Sequence, residues 1–253
     1  LNTFAVPAHA ALMATIESEE DLLELPSFNP QRDYVLGDGS NVLFIDDVPG
    51  LLYRVRIPGK SIVESTSSHS IVEVGAGENW HELVRWTVNL NLWGLENLSL
   101  IPGQAGSAPF QNIGAYGVEL ADVLESVTAW DWKTLQWAEL AASECGLAYR
   151  DSRFKSADRN RYLITSIRLR LSAQPQPQLS YQGLQRQLDE MNLSDPDASQ
   201  ISDAVMAVRQ KKLPDWRTHP NAGSFFKNPV VNSTRFVELQ QLIPNLPHWP
   251  TEH

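Results

Sequence analysis

The chain has few of the residues that build disulfides and metal sites. Cys145 is its one cysteine among 253 residues, which excludes an internal disulfide and a site made of several thiolates. None of its six histidines forms an HxH, HExxH or HxxxH pair, so we predict no metal site. Such sparing use of cysteine also fits a reducing compartment, and we expect a cytoplasmic protein.

Long apolar runs and targeting signals are missing as well. No stretch approaches the roughly 18 unbroken apolar residues of a membrane helix. Residues 1–10 lack the basic region and apolar block of a secretory signal. With 42% hydrophobic and 20% charged residues, the composition is that of a globular protein. Because residue 1 is Leu and the last residues match no helix or strand stop, we expect a fragment of a longer protein.

Acidic side chains outnumber basic ones by 30 to 20, which gives a formal net charge of −10. This balance disfavours nucleic acids and membrane surfaces as partners. Residues 205–228 differ, because their one acidic residue, Asp215, stands against the basic residues Arg209, Lys211, Lys212, Arg217 and Lys227. The local patch favours a small anionic ligand, although a solvated surface stripe explains the charges equally well.

The apolar pattern predicts an α+β fold. Helical spacing occurs at residues 17–25, 78–90, 184–191 and 199–212. Apolar or alternating runs predict strands at residues 34–37, 42–45, 51–57, 71–74, 123–130, 135–139 and 162–171. Strands and helices are interspersed without a strict βαβ repeat.

The first of two glycine-rich loops spans residues 36–41. Gly37 and Gly39 permit positive φ and close approach of a ligand, and the main chain through Ser40 and Asn41 can enclose a phosphate. No helix follows, as the Rossmann fingerprint would require, so an ordinary tight turn is the alternative.

The second loop, residues 101–117, has too much glycine for a helix or a buried strand. It favours main chain wrapped around a flat ligand with polar edges, and a purely structural loop is the alternative. Its candidate binding residues are Ile101, Pro102, Gly103, Gly106, Ser107, Gln111, Asn112, Gly114, Tyr116 and Gly117.

Two further segments carry polar chemistry. Arg150, between aromatic residues and beside Asp151, can present a fork to a carboxylate, and an ordinary surface ion pair is the alternative. Ser224 follows Ala222 and Gly223 but lacks the second glycine of a nucleophile elbow and an obvious histidine partner. We therefore interpret Ser224 as a hydroxyl donor and not as a nucleophile.

Together and in this order, the segments resemble one family. They are LGDGSNVLF at 36–44, VGAGENWHELV at 74–84, IPGQAGSAPFQNIGAYGVEL at 101–120, YRDSRFK at 149–155 and NAGSFFKNP at 221–229. The chain resembles UDP-N-acetylenolpyruvoylglucosamine reductase over essentially its whole length. That family makes UDP-N-acetylmuramate for bacterial peptidoglycan.

The resemblance implies a fold and a division of the chain. A two-part FAD-binding unit of the vanillyl-alcohol-oxidase type would comprise residues 1–49 and 50–213. An α+β substrate domain would begin with residues 214–253, its remainder missing. The protein would use FAD and NADPH, take UDP-N-acetylglucosamine enolpyruvate as substrate and act as a monomer.

The resemblance also implies roles for the candidate residues. Gly37, Gly39, Ser40 and Asn41 would hold the FAD pyrophosphate, and residues 101–117 would wrap the flavin. Arg150 would bind the enolpyruvyl carboxylate, and Ser224 would donate a proton. The UDP diphosphate would be held by Tyr181, Lys212 and Asn228, with Arg209, one helical turn before Lys212, assisting.

One departure from the family leaves an alternative open. Members carry a further C-terminal segment with an active-site glutamate, and no position of this sequence matches it. The chain is then either the reductase or a non-catalytic module that binds FAD and UDP-sugar. A different FAD oxidase is disfavoured, since Cys145 and His69, the residue types that tether flavins, lie outside the glycine-rich loops.

Overall fold

A computed structural model describes residues 2–224 and 226–249. The chain forms two compact units, residues 1–223 and residues 224–253. The boundaries that the sequence suggests at residues 49 and 213 stay predictions. Residue 1 of the first expected part, and residues 225 and 250–253 of the third, lie outside the described residues. Among the helices that are described, none is long and apolar enough to cross a membrane.

The elements alternate irregularly between strand and helix. In chain order they are β1 (Ala10–Ile16), α1 (Asp21–Glu24), β2 (Tyr34–Leu36), β3 (Val48–Val55), β4 (Lys60–Ser65), β5 (His69–Gly75), α2 (Trp80–Asn89), β6 (Gly114–Ala115), β7 (Val118–Glu119), β8 (Leu124–Asp131), β9 (Gln136–Ala141), β10 (Tyr162–Ser172), α3 (Gln182–Glu190), α4 (Ala198–Lys212) and α5 (Ser233–Leu242). The α+β class is confirmed.

The first unit contains two larger sheets. One is parallel, in the order β1-β3-β2, and the other is antiparallel, in the order β4-β5-β10-β8-β9. Tyr53 and Val55 of the parallel sheet pack in one cluster with Trp130 and Leu163 of the antiparallel sheet. Apolar side chains from both sheets thus share a core, which brings the turn after β2 close to the loops that follow β5.

The largest core cluster lies between the antiparallel sheet and helices α2, α3 and α4. On the central strand β10, every second side chain from Leu163 to Leu171 is buried, as expected for a strand with one face in the core. Leu83 of α2, Leu184 of α3 and Ile201 of α4 are fully buried in the same cluster.

Two predicted elements need correction. Residues 42–45 are not a strand, because Val42 and Phe44 pack against the small cluster of Leu36, Val48 and Leu52 without joining a sheet. The helix expected at residues 17–25 is limited to α1. Its Asp21 carboxylate accepts hydrogen bonds from the main chain of residues 17 and 18, which form a turn instead.

Three elements have little signal in the sequence. The parallel strand β1 is rich in alanine and mostly exposed, and the edge strand β4 has no buried residue. Helix α5, in the second unit, buries none of its described residues. Apolar periodicity is produced by burial, so elements with little burial are those that periodicity misses.

Removing a side chain from the centre of β10 should destabilise the fold. Leu169 is 0% exposed, so Leu169→Ala should lower the free energy of unfolding by about 2–5 kcal/mol, measured by urea denaturation. Leu12 is 67% exposed, and Leu12→Ala should change it by less than about 0.5 kcal/mol. Equal effects of the two substitutions would contradict this account of the core.

Candidate functional site

The turn after β2, residues 37–41, is bonded to the second glycine loop. Gly39 is buried with φ +67°, a left-handed conformation that favours glycine. The Ser40 hydroxyl donates to the Pro102 carbonyl at 3.2 Å, and the Asn41 amide donates to Gln111 Oε1 at 2.7 Å. The structure therefore brings together the two loops that the sequence singles out separately.

Glycine is needed where these loops touch. A Cβ added at Gly37 would lie 2.5 Å from Gln104 Oε1, and one at Gly103 would lie 2.9 Å from Ser40 Oγ. At Gly106 it would lie 2.4 Å from the Cβ of Ala76. Contacts this short do not occur for real side chains, so an added Cβ would displace the Gln104 amide, the Ser40 hydroxyl or the segment at Ala76.

Gln104 is a residue of this site that the sequence does not single out. Its side-chain amide donates to the Val55 carbonyl at 3.2 Å and to the Gly77 carbonyl at 3.0 Å. It is buried, and it joins the second glycine loop to the end of β3 and to the loop before α2. Its position inside the segment 101–117 could have indicated a role for Gln104 in the site. The carbonyl groups to which it donates, however, are far away in the sequence.

Asn112 organises the second half of the loop. It is 1% exposed and has φ +44°. Its side-chain amide donates to Glu119 Oε2 at 2.7 Å and to the Ala148 carbonyl at 3.2 Å, and its Oδ1 accepts from the Ala121 N–H at 2.9 Å. These bonds tie the loop to the segment that carries Arg150, so the Asn112 side chain serves the scaffold.

The Arg150 guanidinium lies against the same loop. It donates to the Gly114 carbonyl at 2.6 Å and to the Asn112 carbonyl at 3.5 Å, and it lies 5.5 Å from the centre of the Tyr149 ring. Arg150 itself has φ +55°, and Lys155 donates to its carbonyl at 2.9 Å. The main chain of the glycine loop thus holds this cation in place.

Tyr116, Tyr181, Arg209 and Lys212 form a second group, here called the basic-aromatic cluster. The Tyr116 and Tyr181 rings meet edge to face at 5.1 Å, and Lys212 Nζ lies 5.5 Å from the centre of the Tyr181 ring. The buried Asn97 amide donates to the Tyr116 carbonyl and to the Gln178 carbonyl, both at 2.8 Å. The sequence did not point to Asn97, although it links the loop to the segment before α3.

Arg209 is the partly buried cation of this cluster. Burial lowers its pKa, the neighbouring Tyr116 opposes that shift, and the charge of Arg150 adds to it. Its Nε is buried and has no hydrogen-bond partner within residues 2–224 and 226–249. Burial likewise raises the pKa of Tyr116. A desolvated guanidinium with an open N–H is suited to an anion.

The remaining basic residues of the 205–228 patch differ in their surroundings. Lys211 pairs with Glu190 at 2.8 Å, and Arg217 pairs with Asp215 at 3.5 Å, all largely exposed. For these two, the solvated-surface reading of the patch holds. Ser224 and Asn228 belong to the second unit, where both are exposed. Within the described part of the chain, no three His, Cys, Asp or Glu side chains group as a metal site would need.

Comparison with known proteins agrees with this geometry. A model of the FAD binding domain matches residues 7–134, which include both glycine loops. This part of the chain is therefore an FAD-binding domain, and the expected mixed α+β fold with such a domain is confirmed.

Full-length similarity identifies the family. The chain is 44% identical over 252 residues to UDP-N-acetylenolpyruvoylglucosamine reductase of Dechloromonas aromatica (strain RCB), covering 98% of this chain and 74% of that protein. It is 47% identical over 248 residues to the protein of that name from Alcanivorax borkumensis, covering 97% and 72%. The crystal structure of the reductase from Thermus caldophilus superposes with a TM-score of 0.64 at 26% identity, covering 95% of this chain and 77% of that one. The chain belongs to the UDP-N-acetylenolpyruvoylglucosamine reductase family, which acts in peptidoglycan precursor synthesis.

The contact between the loops can be tested with two glycines. Gly103→Ala should weaken FAD binding about tenfold or more, because it adds a clash with Ser40 to the strain of a residue at φ +118°. Gly59 has a similar φ of +113° with nothing within 4 Å of an added Cβ, so Gly59→Ala supplies the strain alone. Flavin fluorescence titration measures both affinities, and equal losses would show that contact between the loops is unimportant.

Proposed function

We propose that this protein uses FAD and NADPH to reduce UDP-N-acetylglucosamine enolpyruvate to UDP-N-acetylmuramate. One observation supports this most directly. The loop that approaches the turn at residues 37–41 also holds Arg150 through its carbonyl groups and contributes Tyr116 to the basic-aromatic cluster. One loop therefore joins the proposed dinucleotide site to the two proposed cationic sites for an anionic substrate.

The glycine loops fit the cofactor. Where side chains are missing, the main-chain N–H groups of residues 37–41 and of Gly103 can approach a pyrophosphate, whereas those of residues 104–107 already donate to protein atoms. We assign FAD binding to Gly37, Gly39, Ser40 and Asn41 and to the loop from Ile101 to Gly117. FAD held there would carry the hydride from NADPH to the substrate. The Asn112 side chain would support the shape of this loop and would not bind FAD itself, because it already makes hydrogen bonds to Glu119, Ala148 and Ala121.

Arg150 is the proposed carboxylate site. Reduction of an enolpyruvyl ether builds negative charge on the carbon next to the carboxylate and on the carboxylate itself. A guanidinium already oriented by the Gly114 and Asn112 carbonyls stabilises that charge without reorganising. The family resemblance assigns Ser224 as the donor of the proton that this carbon takes up, a step that would set its configuration.

The UDP diphosphate is the proposed ligand of the basic-aromatic cluster. Lys212 and Arg209 supply charge, and Tyr181 supplies a hydroxyl and an aromatic wall. Asn228 is assigned to the same ligand by the family resemblance. Support comes from the Arg209 Nε, whose buried N–H lacks a partner among the described residues. Monomeric state and cytoplasmic location stay predictions from the sequence.

The proton-donor role predicts a split between the two half-reactions. Ser224→Ala should slow reoxidation of the reduced flavin by the enolpyruvyl substrate by about 10²–10⁴, the usual worth of a positioned general acid. Reduction of the flavin by NADPH should keep its rate, because that step needs no proton from Ser224. Stopped-flow absorbance of the flavin measures both steps.

Ser233→Ala is the matched control, since Ser233 is exposed in the same unit. If Ser224→Ala reoxidised at the wild-type rate, the assigned role would be wrong. If the wild type bound FAD and UDP-sugar but never turned over, the non-catalytic alternative would be correct.

Adjacent lysines of α4 test the diphosphate site. Lys212 lies on Tyr181, whereas Lys211 pairs with Glu190, so only Lys212 should contact substrate. Lys212→Met should raise the KM for the UDP-sugar about ten- to hundredfold with kcat little changed, because a charged hydrogen bond to bound substrate is lost. Lys211→Met should leave KM within about twofold. Equal KM values in both variants would remove Lys212 from the site.

A further inference from the structure

The first turn of α2 holds the chain that enters the second glycine loop. The Trp80 indole N–H donates to the Leu98 carbonyl at 3.1 Å, and the Trp80 main-chain N–H donates to the Gly103 carbonyl at 3.0 Å. The Ala105 N–H donates to the Glu78 carbonyl at 2.9 Å. This turn belongs to the segment 74–84, which the proposed function leaves without a role.

His81, on the same turn, accepts a further hydrogen bond from the stretch between Leu98 and Gly103. Its Nδ1 accepts a hydrogen bond from the Leu100 N–H at 3.0 Å. Leu100 has φ +59°, a left-handed conformation that is strained for a leucine and persists only where its surroundings impose it. The strained residue stands directly before Ile101, where the loop begins.

The bond requires one protonation state of the ring. Because Leu100 donates, Nδ1 must be bare, so the proton of the neutral imidazole is on Nε2. With a proton on Nδ1, two N–H groups, that of the ring and that of Leu100, would face each other and the hydrogen bond would be lost. His81 is therefore suited to hold the loop only while it is neutral.

The surroundings of His81 favour the neutral ring. Burial lowers its pKa, and Arg85 of α2 and Arg209 of α4 act in the same direction, while Glu82 of α2 opposes them. The segment at residues 98–101 faces the ring with a main-chain N–H and no charge. A position near a helix N-terminus also disfavours a positive ring.

We propose that His81 is a positioning residue for FAD: its neutral imidazole holds Leu100 and the start of the flavin loop, and protonation of the ring weakens FAD binding. This inference rests on the proposed function, since it takes residues 101–117 as part of the FAD site. His81 acts through the loop and need not touch the cofactor.

Binding of FAD to His81 variants tests the proposal. At about pH 7.5, His81→Phe should raise the FAD Kd about five- to tenfold, the worth of one lost hydrogen bond. His81→Asn, whose Oδ1 can replace Nδ1 as acceptor, should stay within about twofold of the wild type. Flavin fluorescence titration gives Kd, and His9→Phe, at a side chain 86% exposed, is the matched control.

The pH profile separates this role from simple packing. A lowered pKa means that the wild type binds FAD with constant affinity above about pH 6.5, the usual pKa of histidine, and loses affinity as the pH falls below it. In His81→Asn that extra loss should be absent, because the amide does not titrate. This comparison does not depend on whether His81→Phe folds.

Two results would overturn the inference. One is parallel pH profiles of Kd in the wild type and His81→Asn, and the other is an unchanged Kd in a folded His81→Phe. A wild type that fails to bind FAD at every pH would overturn the proposed function, and this inference with it, which is a distinct outcome.

Discussion

The close approach of two main-chain turns is the constraint on which the candidate site depends. A Cβ at Gly37 would lie 2.5 Å from Gln104 Oε1, and one at Gly106 would lie 2.4 Å from the Cβ of Ala76, so a side chain at either position would displace the Gln104 amide or the segment at Ala76. Gln104 uses the space that glycine leaves at Gly37, and its amide joins the loop to the end of the parallel sheet. The main-chain surface offered to a dinucleotide exists because these segments meet.

The same loop connects the cofactor site to the cations. It meets the first glycine turn where the Pro102 carbonyl accepts from the Ser40 hydroxyl, and its carbonyls at Asn112 and Gly114 accept from Arg150. Asn112 holds this geometry through three side-chain bonds from a left-handed conformation. A change in the loop would therefore move Arg150, the proposed carboxylate site, together with the proposed flavin site.

Positive charge is concentrated where the proposed anionic substrate would bind. The protein carries a net charge of −10, yet Arg150 and Arg209 are close enough for the charge of one to lower the pKa of the other. Two cations in partly desolvated surroundings repel each other, and an anion between them relieves the repulsion. Exposed basic residues nearby are neutralised by Glu190 and Asp215 and do not add to this field.

Local signals in the sequence were sufficient for most of the secondary structure and for the loops of the site. Strand β10 and helices α2 and α4 follow from apolar periodicity, and the motifs at 36–44 and 101–120 carried the family resemblance, because buried faces and glycine-rich turns leave patterns within a few residues. The pattern failed at residues 42–45, where an apolar run packs on a small cluster, and at β4, which buries nothing.

Only the tertiary structure decided which of these residues meet. The bonds from Gln104 to Val55, from Leu100 to His81 and from Arg150 to Gly114 join positions 19 to 49 residues apart. Burial of Arg209 and the contact of Tyr116 with Tyr181 depend in the same way on how α4 and the segment before α3 pack on the loop. A sequence pattern records the environment of each segment, whereas a contact between distant segments is set by the packing of the shared core.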